Sequence, residues 1–331
     1  MGRLIKNAFV FLLALAAVYI VAFAVMAHVP FQGKPLIFRT GDYYNWPGGD
    51  TWQRFREFNP QERQDAVIIG SSHAYRGYDP FVFQERGHKV FNLGSSAQTP
   101  LNTYPLIQQY LDSAHCPMLI YDVYEGSFTN TGLESTADLT QNQPSDAAAL
   151  DMAWAIRDLR GLNMMALRML TGREKPYYTS TYYQGLGFCA IPDSVNKQAP
   201  PPPGKQIELS PVQRHFFEAC IRLCHERGIR LVVTSHYARL NRRGSAHTVL
   251  AAYMDSILAG TGIPYLDYTD NPGTDDRHWF ADDSHLNTTG ARIFTGHLVD
   301  SLESLGILNT EQMALPPGAA GNVERSSTPR R

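Results

Sequence analysis

Hydrophobic and polar positions follow two alternating patterns over most of this chain. Short apolar runs recur between residues 66 and 268, and amphipathic stretches with apolar residues at three and four spacing lie between them. This alternation is typical of parallel strands joined by crossover helices. The predicted strands are Ala66–Ile69, Lys89–Leu93, Met118–Tyr124, Arg230–Thr234 and Pro264–Tyr268. The pattern therefore predicts a three-layer α/β/α sandwich around a five-stranded, mainly parallel sheet.

Helical periodicity marks the stretches that would cover this sheet. Pro211 after Ser210 is a helix start with its cap, and Gly228 is a stop signal. Asn287 or Thr288 is positioned to cap the last helix. The predicted helices are Thr103–Ser113, Ser145–Leu170, Pro211–Arg227, Ser245–Ala259 and Thr288–Leu305.

The first 29 residues differ in kind from the rest. Arg3 and Lys6 precede an uncharged apolar run from Ala8 to Ala27, which is long enough as a helix to cross a bilayer. The run exceeds the apolar part of a usual signal peptide, which favours a single-pass membrane anchor over a cleaved signal peptide. Positive charge before the run predicts a cytoplasmic amino terminus, with the remaining chain in the periplasm or at the cell surface.

The remaining chain divides into three parts, the second of which contains an insertion. Residues 30–64 are expected to form a linker and a segment that packs on the main domain, which spans residues 65–310. Residues 126–206 break the strand and helix alternation and are interpreted as an insertion, either a lid or substrate wall or a stabilising cover. Residues 311–331, rich in Pro, Gly, Ser and Thr, are predicted to be disordered.

Charge and cysteine content exclude several classes of function. A net charge of −2 and the lack of a dense basic tract argue against nucleic-acid binding. Cys220 and Cys224 lie four apart on a predicted helix, and Cys116 and Cys189 have no nearby His or Cys cluster with metal-ligand spacing. Buried thiols are therefore expected rather than disulfides or a metal site, and no cofactor is predicted.

The candidate chemistry begins where the first predicted strand ends. Residues 65–79 read DAVIIGSSHAYRGYD, so the strand stops at Gly70 and presents Ser72 at the carboxyl edge of the sheet. A serine nucleophile needs a base that a carboxylate orients. Before the last helix, Asp282 and His285 are three apart on a turn and can supply both, with Asp283 as a less well spaced alternative. Without this partner, Gly70-Ser71-Ser72 would be read as a polar turn.

These two blocks resemble the SGNH or GDSL-like hydrolase superfamily. Its Gly-Asp-Ser block is matched by Gly70-Ser71-Ser72, with Ser71 in place of the aspartate, and its last block by Asp-x-x-His at Asp282 and His285. The resemblance implies that Ser72 is the nucleophile, His285 the base and Asp282 its orienting carboxylate. It also implies two oxyanion donors, the backbone N–H groups of Ser72 and Gly94.

One family block is missing. The third block, Gly-x-Asn-Asp, carries an asparagine that donates to the oxyanion, and here the corresponding stretch ends in Tyr124-Glu125-Gly126. This departure is similar to the divergent membrane-anchored members that act in D-alanylation of teichoic acid or O-acetylation of exopolysaccharide. Loss of one oxyanion donor costs about two to three orders of magnitude in rate. The departure therefore puts turnover in doubt and leaves the predicted fold in place.

The resemblance implies an extracytoplasmic serine esterase or acyltransferase acting on acyl esters of a cell-envelope polysaccharide or related polymer. His73, Arg76, Tyr124 and His236 are candidate substrate-binding residues, although the two histidines fit a pocket wall better than a second base. The alternative is a non-catalytic envelope protein that binds glycan or supports an integral membrane acyltransferase. A metal-dependent hydrolase is disfavoured because no ligand cluster is present. The expected partners are an acylated envelope polymer, the membrane and an integral membrane acyltransferase.

Overall fold

A computed structural model describes residues 2–41, 47–171, 174–201, 204 and 206–308. The predicted disordered segment, residues 311–331, lies outside the described residues. The central sheet has five parallel strands in the order β2-β1-β3-β4-β5. They are β1 (Ala66–Ile69), β2 (Val90–Asn92), β3 (Met118–Asp122), β4 (Arg230–Ser235) and β5 (Tyr265–Asp267). The predicted α/β class and the five-stranded sheet are confirmed.

Alternate residues of each central strand face opposite layers of helices. Val67 and Ile69 of β1 belong to one buried cluster, whereas Ala66 and Ile68 belong to the other. Both faces of the sheet are therefore apolar, which explains why the strands appear in the sequence as continuous hydrophobic runs.

Twelve α-helices are present among the described residues, and five of them precede β3. These five are α1 (Gly2–His28), α2 (Gly49–Glu57), α3 (Ser72–Gly77), α4 (Pro80–Glu85) and α5 (Pro100–Tyr110). Five helices lie between β3 and β4: α6 (Glu125–Thr129), α7 (Leu133–Asn142), α8 (Asp146–Ala155), α9 (Leu159–Leu170) and α10 (Pro211–Glu226). The last two are α11 (Ser245–Leu258) and α12 (Thr288–Ser304).

Two predicted helices differ from the structure. The stretch 145–170 forms two helices, because the chain breaks at Arg157, which adopts a left-handed φ of +51° between α8 and α9. The helix predicted from Thr103 begins earlier, at Pro100, where Thr99 and Asn102 form a capping box, and it ends at Tyr110. Proline at the first helical position is a favourable start, since its missing N–H has no partner there in any case.

Several short helices were not predicted. In α4, Asp79 caps the amide of Phe81 and Pro80 occupies the first turn, a start signal that is visible in the sequence. In α3, Ser71 is the cap, so the polar turn after β1 is in fact the entry to a helix. These helices have only six residues each, too few to show a hydrophobic period.

The strand order places the end of β1 at a topological switch point. From β1 the chain crosses to β2 on one side, and β3 then pairs on the other side of β1. In open parallel sheets, the crevice at the carboxyl ends of the strands around such a point is where ligands bind. The residues that follow β1 therefore line the most favourable binding position in this fold.

The part of the chain predicted as an insertion, residues 126–206, carries most of α6, the whole of α7, α8 and α9, and a two-stranded hairpin formed by Tyr183–Gly185 and Phe188–Cys189. The α7, α8 and α9 helices pack on one another, and α8 also packs on α5 of the main domain. The four cysteines, Cys116, Cys189, Cys220 and Cys224, are buried free thiols.

Candidate active site

Ser72 is presented by a sharp turn between β1 and α3. Gly70 has a φ of +153°, and a Cβ built there would lie 2.8 Å from the backbone oxygen of Asp122 in β3. Only glycine fits this conformation and this close approach. Ser71 then accepts a hydrogen bond from the His73 amide at 3.1 Å, which fixes the first turn of α3. Ser72 is thereby the first helical residue, with its backbone N–H in the turn that has no intrahelical acceptors.

Asp282 and His285 occupy a tight loop before α12. Phe280 and Leu286 form an antiparallel bridge across the loop, and the Ala281 amide donates to the His285 carbonyl at 2.9 Å. The loop therefore folds back on itself. The carboxylate of Asp282 accepts from the imidazole Nδ1 of His285 at 2.8 Å and from the backbone N–H of the same residue at 2.9 Å.

The loop brings His285 to the serine across the edge of the sheet. The Oγ of Ser72 lies 2.7 Å from Nε2 of His285. Since Nδ1 donates to Asp282, Nε2 is the acceptor for the serine hydroxyl. Burial raises the pKa of Asp282, but the hydrogen bond from His285, its charge and the backbone donors together hold this pKa well below its usual value. Asp282 therefore stays ionised and fixes the tautomer that a general base requires.

The alternative carboxylate has a different partner. Asp283 forms an ion pair with Arg239, whose side chain is fully buried, while Asp282 contacts the imidazole. The structure thus assigns Asp282, and not Asp283, to His285.

Three aromatic rings form a wall beside the triad. The His73 ring centroid lies 4.0 Å from that of Tyr124, 4.5 Å from that of His236 and 5.3 Å from that of His285. Burial, followed by the charges of His236 and His285, holds the pKa of His73 well below its usual value. Burial likewise lowers the pKa of His236 to about 4 and raises that of Tyr124 to about 12. These rings are neutral at physiological pH and leave His285 as the base that faces the serine.

Arg76 lies on the same short helix as the serine, and its guanidinium carbon sits 5.5 Å from the centroid of the Tyr75 ring. The structure therefore places all four predicted substrate-binding residues on or next to the elements that carry the triad. Their role in substrate binding stays a prediction.

The prediction for Gly94 conflicts with the bond that its N–H makes. This N–H donates to the side-chain oxygen of Asn92 at 3.0 Å, so an oxyanion would have to displace that acceptor. A Cβ on Gly94 would lie 3.0 Å from Cβ of Ala74 and from the carbonyl oxygen of Ser71. Glycine is needed here because β2 packs closely under α3. Asn92 also donates to the carbonyl oxygen of Ala74 at 2.9 Å, and its side chain thus holds the nucleophile turn in place.

A charged cluster that the sequence did not reveal lies behind the wall. His247 of α11 bridges Glu125 and Asp267, with Nδ1 and Nε2 each 2.7 Å from a carboxylate oxygen. It lines a cavity of about 20 Å³ together with His73 and His236, which has room for a single water molecule but not for an acyl group. Glu125 follows β3 and Asp267 ends β5, and acidic residues at strand ends are visible in the sequence. Nothing in the sequence pattern of α11 distinguishes His247.

We expect this cluster to make stability depend on pH. Burial lowers the pKa of His247, yet the hydrogen bonds and charges of Asp267 and Glu125 outweigh it and raise the pKa to about 10. The unfolded value is about 6.5, so the contribution is complete below that pH and is lost as pH rises through about 10. The free energy of unfolding of the full chain in detergent, compared with His247→Gln, should therefore show a difference of roughly 3 kcal/mol at pH 6 that shrinks toward pH 10. His225 is exposed, and the control variant His225→Gln should show no such difference from wild type. A difference for His247→Gln that does not change with pH would contradict the assignment.

The fold and the site together define an α/β protein with a hydrogen-bonded serine, histidine and aspartate at the switch point of its sheet. No family model matches the sequence, and no curated protein matches it. Among solved structures, a GDSL-like lipase from Bacteroides thetaiotaomicron is similar, with 11% identity, a TM-score of 0.39, and coverage of 77% of this chain and 98% of that chain. A lipase/acylhydrolase from Enterococcus faecalis shares 12% identity with a TM-score of 0.39 and coverage of 72% and 96%. These similarities are too weak to assign an activity, and the chemistry of the site follows from its own geometry.

Proposed function

We propose that this protein is a serine esterase or acyltransferase of SGNH type. The observation that carries the proposal is the continuous chain of hydrogen bonds from Ser72 Oγ through the imidazole of His285 to Asp282, at 2.7 Å and 2.8 Å. A serine hydroxyl is a weak nucleophile until an adjacent base accepts its proton. All three groups needed for that activation are in contact without any rearrangement.

The geometry supports an acyl-enzyme mechanism. Ser72 Oγ attacks the ester carbonyl while Nε2 of His285 takes its proton, and the imidazolium then protonates the departing alcohol. Asp282 stabilises the imidazolium. The Ser72 N–H, in the first turn of α3, is the donor available to the oxyanion, and Gly94 would join it only after releasing Asn92. The acyl-enzyme is then attacked either by water, which completes hydrolysis, or by a sugar hydroxyl, which completes transfer of the acyl group.

The proposed substrates are acyl esters of a cell-envelope polysaccharide or a related polymer. In support, α1 is a 27-residue apolar helix that could cross a membrane, with Arg3 and Lys6 at its amino end. Positive residues before the span favour an amino terminus in the cytoplasm and a catalytic domain outside it. An integral membrane acyltransferase that delivers the acyl group is the partner that such a location favours.

Acetate release tests the activity and the acyl size together. The full-length chain in detergent should release acetate from an acetylated glycan and from a small aryl acetate, whereas Ser72→Ala should release acetate from neither. Longer aryl esters, compared in the same assay, measure the acyl length that the site accepts. Activity that survives Ser72→Ala would exclude the proposed nucleophile.

A second candidate function is a non-catalytic envelope protein that binds glycan in the same cleft or supports a membrane acyltransferase. Two observations favour it: the Gly94 N–H is already bonded, and Tyr124 and Glu125 stand where the oxyanion asparagine of the resembling family would lie. It predicts glycan binding without acetate release and no reaction of Ser72 with serine-directed probes.

A further inference from the structure

The outer end of α1 is held against the insertion. Phe23 and Ala27 are buried in a hydrophobic cluster with Leu167 of α9. The hydroxyl of Tyr19 donates to the side-chain oxygen of Asn163, also on α9, at 2.8 Å. Cleavage of α1 as a signal peptide would strip the cover from Leu167 and remove this hydrogen bond, so these contacts support a retained anchor.

These contacts also locate the membrane boundary along α1. Because the domain covers Phe23 and Ala27 while Val25 stays exposed, one face of the last turns of α1 contacts protein. The 20 residues from Leu4 to Phe23 rise about 30 Å, the thickness of a hydrocarbon core, and Lys6, within one turn of the inner end, can extend its ammonium group to the inner headgroups. Tyr19 then lies about 6 Å inside the outer boundary, a depth that suits tyrosine. Its partner Asn163 places α9 at the same level.

The α8–α9 hairpin (residues 146–170) exposes large apolar side chains at this level. Trp154 is 73% exposed and Met169 is 78% exposed. Among the other large apolar side chains of the described residues, only Leu4 of α1, at 74%, is exposed to a similar extent. The apolar side chains that the hairpin exposes are Leu150, Trp154, Leu159, Leu162, Met169 and Leu170. Trp154, Leu159 and Leu162 line one surface pocket, and an exposed apolar patch on a domain is a mark of an interaction site.

We propose that the α8–α9 hairpin lies in the outer membrane interface and contacts lipid through these six side chains. This inference does not depend on the esterase activity. The hairpin is apolar on both sides, since Met152, Met164 and Leu167 are buried against the protein while the exposed set faces away from it. Trp154, beside the turn of the hairpin, has the side chain that is most enriched at membrane interfaces.

A lipid surface fits this face better than a second copy of the chain. The apolar side chains are continuous with a helix that is itself apolar over its exposed length. The ion pairs of the hairpin lie at its two ends: Arg168 pairs with Asp146 at 2.7 Å, and at the turn Arg160 pairs with Asp158 at 2.6 Å beside the exposed Arg157. Because α9 advances in the same direction as α1, from Asn163 at Tyr19 to Leu167 in the cluster of Phe23, this turn points toward the bilayer, and its arginine side chains are long enough to extend outward toward the headgroups. Together with α1, the hairpin would hold the domain in one orientation on the membrane.

Tryptophan quenching by brominated lipid tests the inference directly. The full-length chain is reconstituted into phosphatidylcholine vesicles with bromine in the upper part of the acyl chains, and emission is compared for wild type, Trp154→Phe and Trp279→Phe. Trp279 stacks on Tyr237 in the main domain and is the matched control. The difference between wild type and Trp154→Phe isolates the Trp154 emission, which we expect bromolipid to quench for the most part and aqueous iodide to leave nearly unchanged.

Three outcomes would overturn the inference. Quenching of the Trp154 emission by iodide but not by bromolipid would place the hairpin in water. Protection from both quenchers would place another protein surface, such as a second copy, over the hairpin. Loss of bromolipid quenching in Trp279→Phe but not in Trp154→Phe would assign the lipid contact to the main domain at Trp279 and not to the hairpin.

Discussion

Replacing Ser72 by alanine is expected to lower esterase turnover by about 10⁴-fold or more. The hydroxyl forms the covalent bond to the acyl group, and no other hydroxyl among the described residues is bonded to His285 Nε2. The side chain is only one atom larger than alanine and sits in the first turn of α3, so the fold should persist. The measurement is the turnover number on an aryl acetate, with the far-ultraviolet circular dichroism spectrum as a check on folding.

Ser96→Ala is the matched control for this change. Its half-buried hydroxyl follows the neighbouring strand β2 and lies 3.5 Å from the hydroxyl of Tyr75. We expect its turnover to stay close to that of wild type. Equal losses in both variants would show that the effect is structural and not nucleophilic.

Asp282→Asn should lower the turnover number by about 10² to 10⁴-fold and leave KM almost unchanged. The amide keeps the shape of the carboxylate, but it removes the charge that stabilises the imidazolium and can donate to Nδ1, which favours the wrong tautomer. The lower end of this range reflects the 51% exposure of the Asp282 side chain, since solvent weakens the lost electrostatic interaction. Steady-state kinetics on the aryl acetate separates the two parameters.

Asp275→Asn is a control with the same local geometry. Asp275 and His278 are also three apart, and their Nδ1 to carboxylate distance is 2.7 Å, but no serine hydroxyl of the described residues is bonded to this exposed imidazole; Ser194 donates only to the His278 carbonyl. The change should not alter turnover. An increase in KM without a loss of turnover in Asp282→Asn would instead give Asp282 a role in substrate binding.

The Asp-x-x-His spacing shows how far sequence reasoning reaches at this site. The spacing reliably predicts a local pair, since Asp112 with His115 forms one too, at 3.0 Å. It cannot by itself tell which pair meets a serine. The strand order seen in the structure does this, because it brings the end of β1 and the loop before α12 to one edge of the sheet.

The strands are predictable because they are buried apolar runs. The contacts between elements that are distant in the chain are not predictable in this way. Asn92 reads in the sequence as part of a strand end, yet its side chain accepts the Gly94 N–H, the group predicted as the second oxyanion donor. His247 gave no signal, because its two carboxylate partners are 122 and 20 residues away in the chain. The break at Arg157 has no sequence signal, since residues 145–170 contain no proline and the left-handed φ falls on an arginine.

The central claim is that Ser72 is a nucleophile activated by His285, and fluorophosphonate labelling of the full-length chain tests it most directly. Peptide mapping by mass spectrometry should find a single adduct, on Ser72, in the wild type, and this adduct should be nearly absent in His285→Ala. An unlabelled wild type, an adduct on another serine, or labelling of Ser72 at the same rate in His285→Ala would contradict the claim.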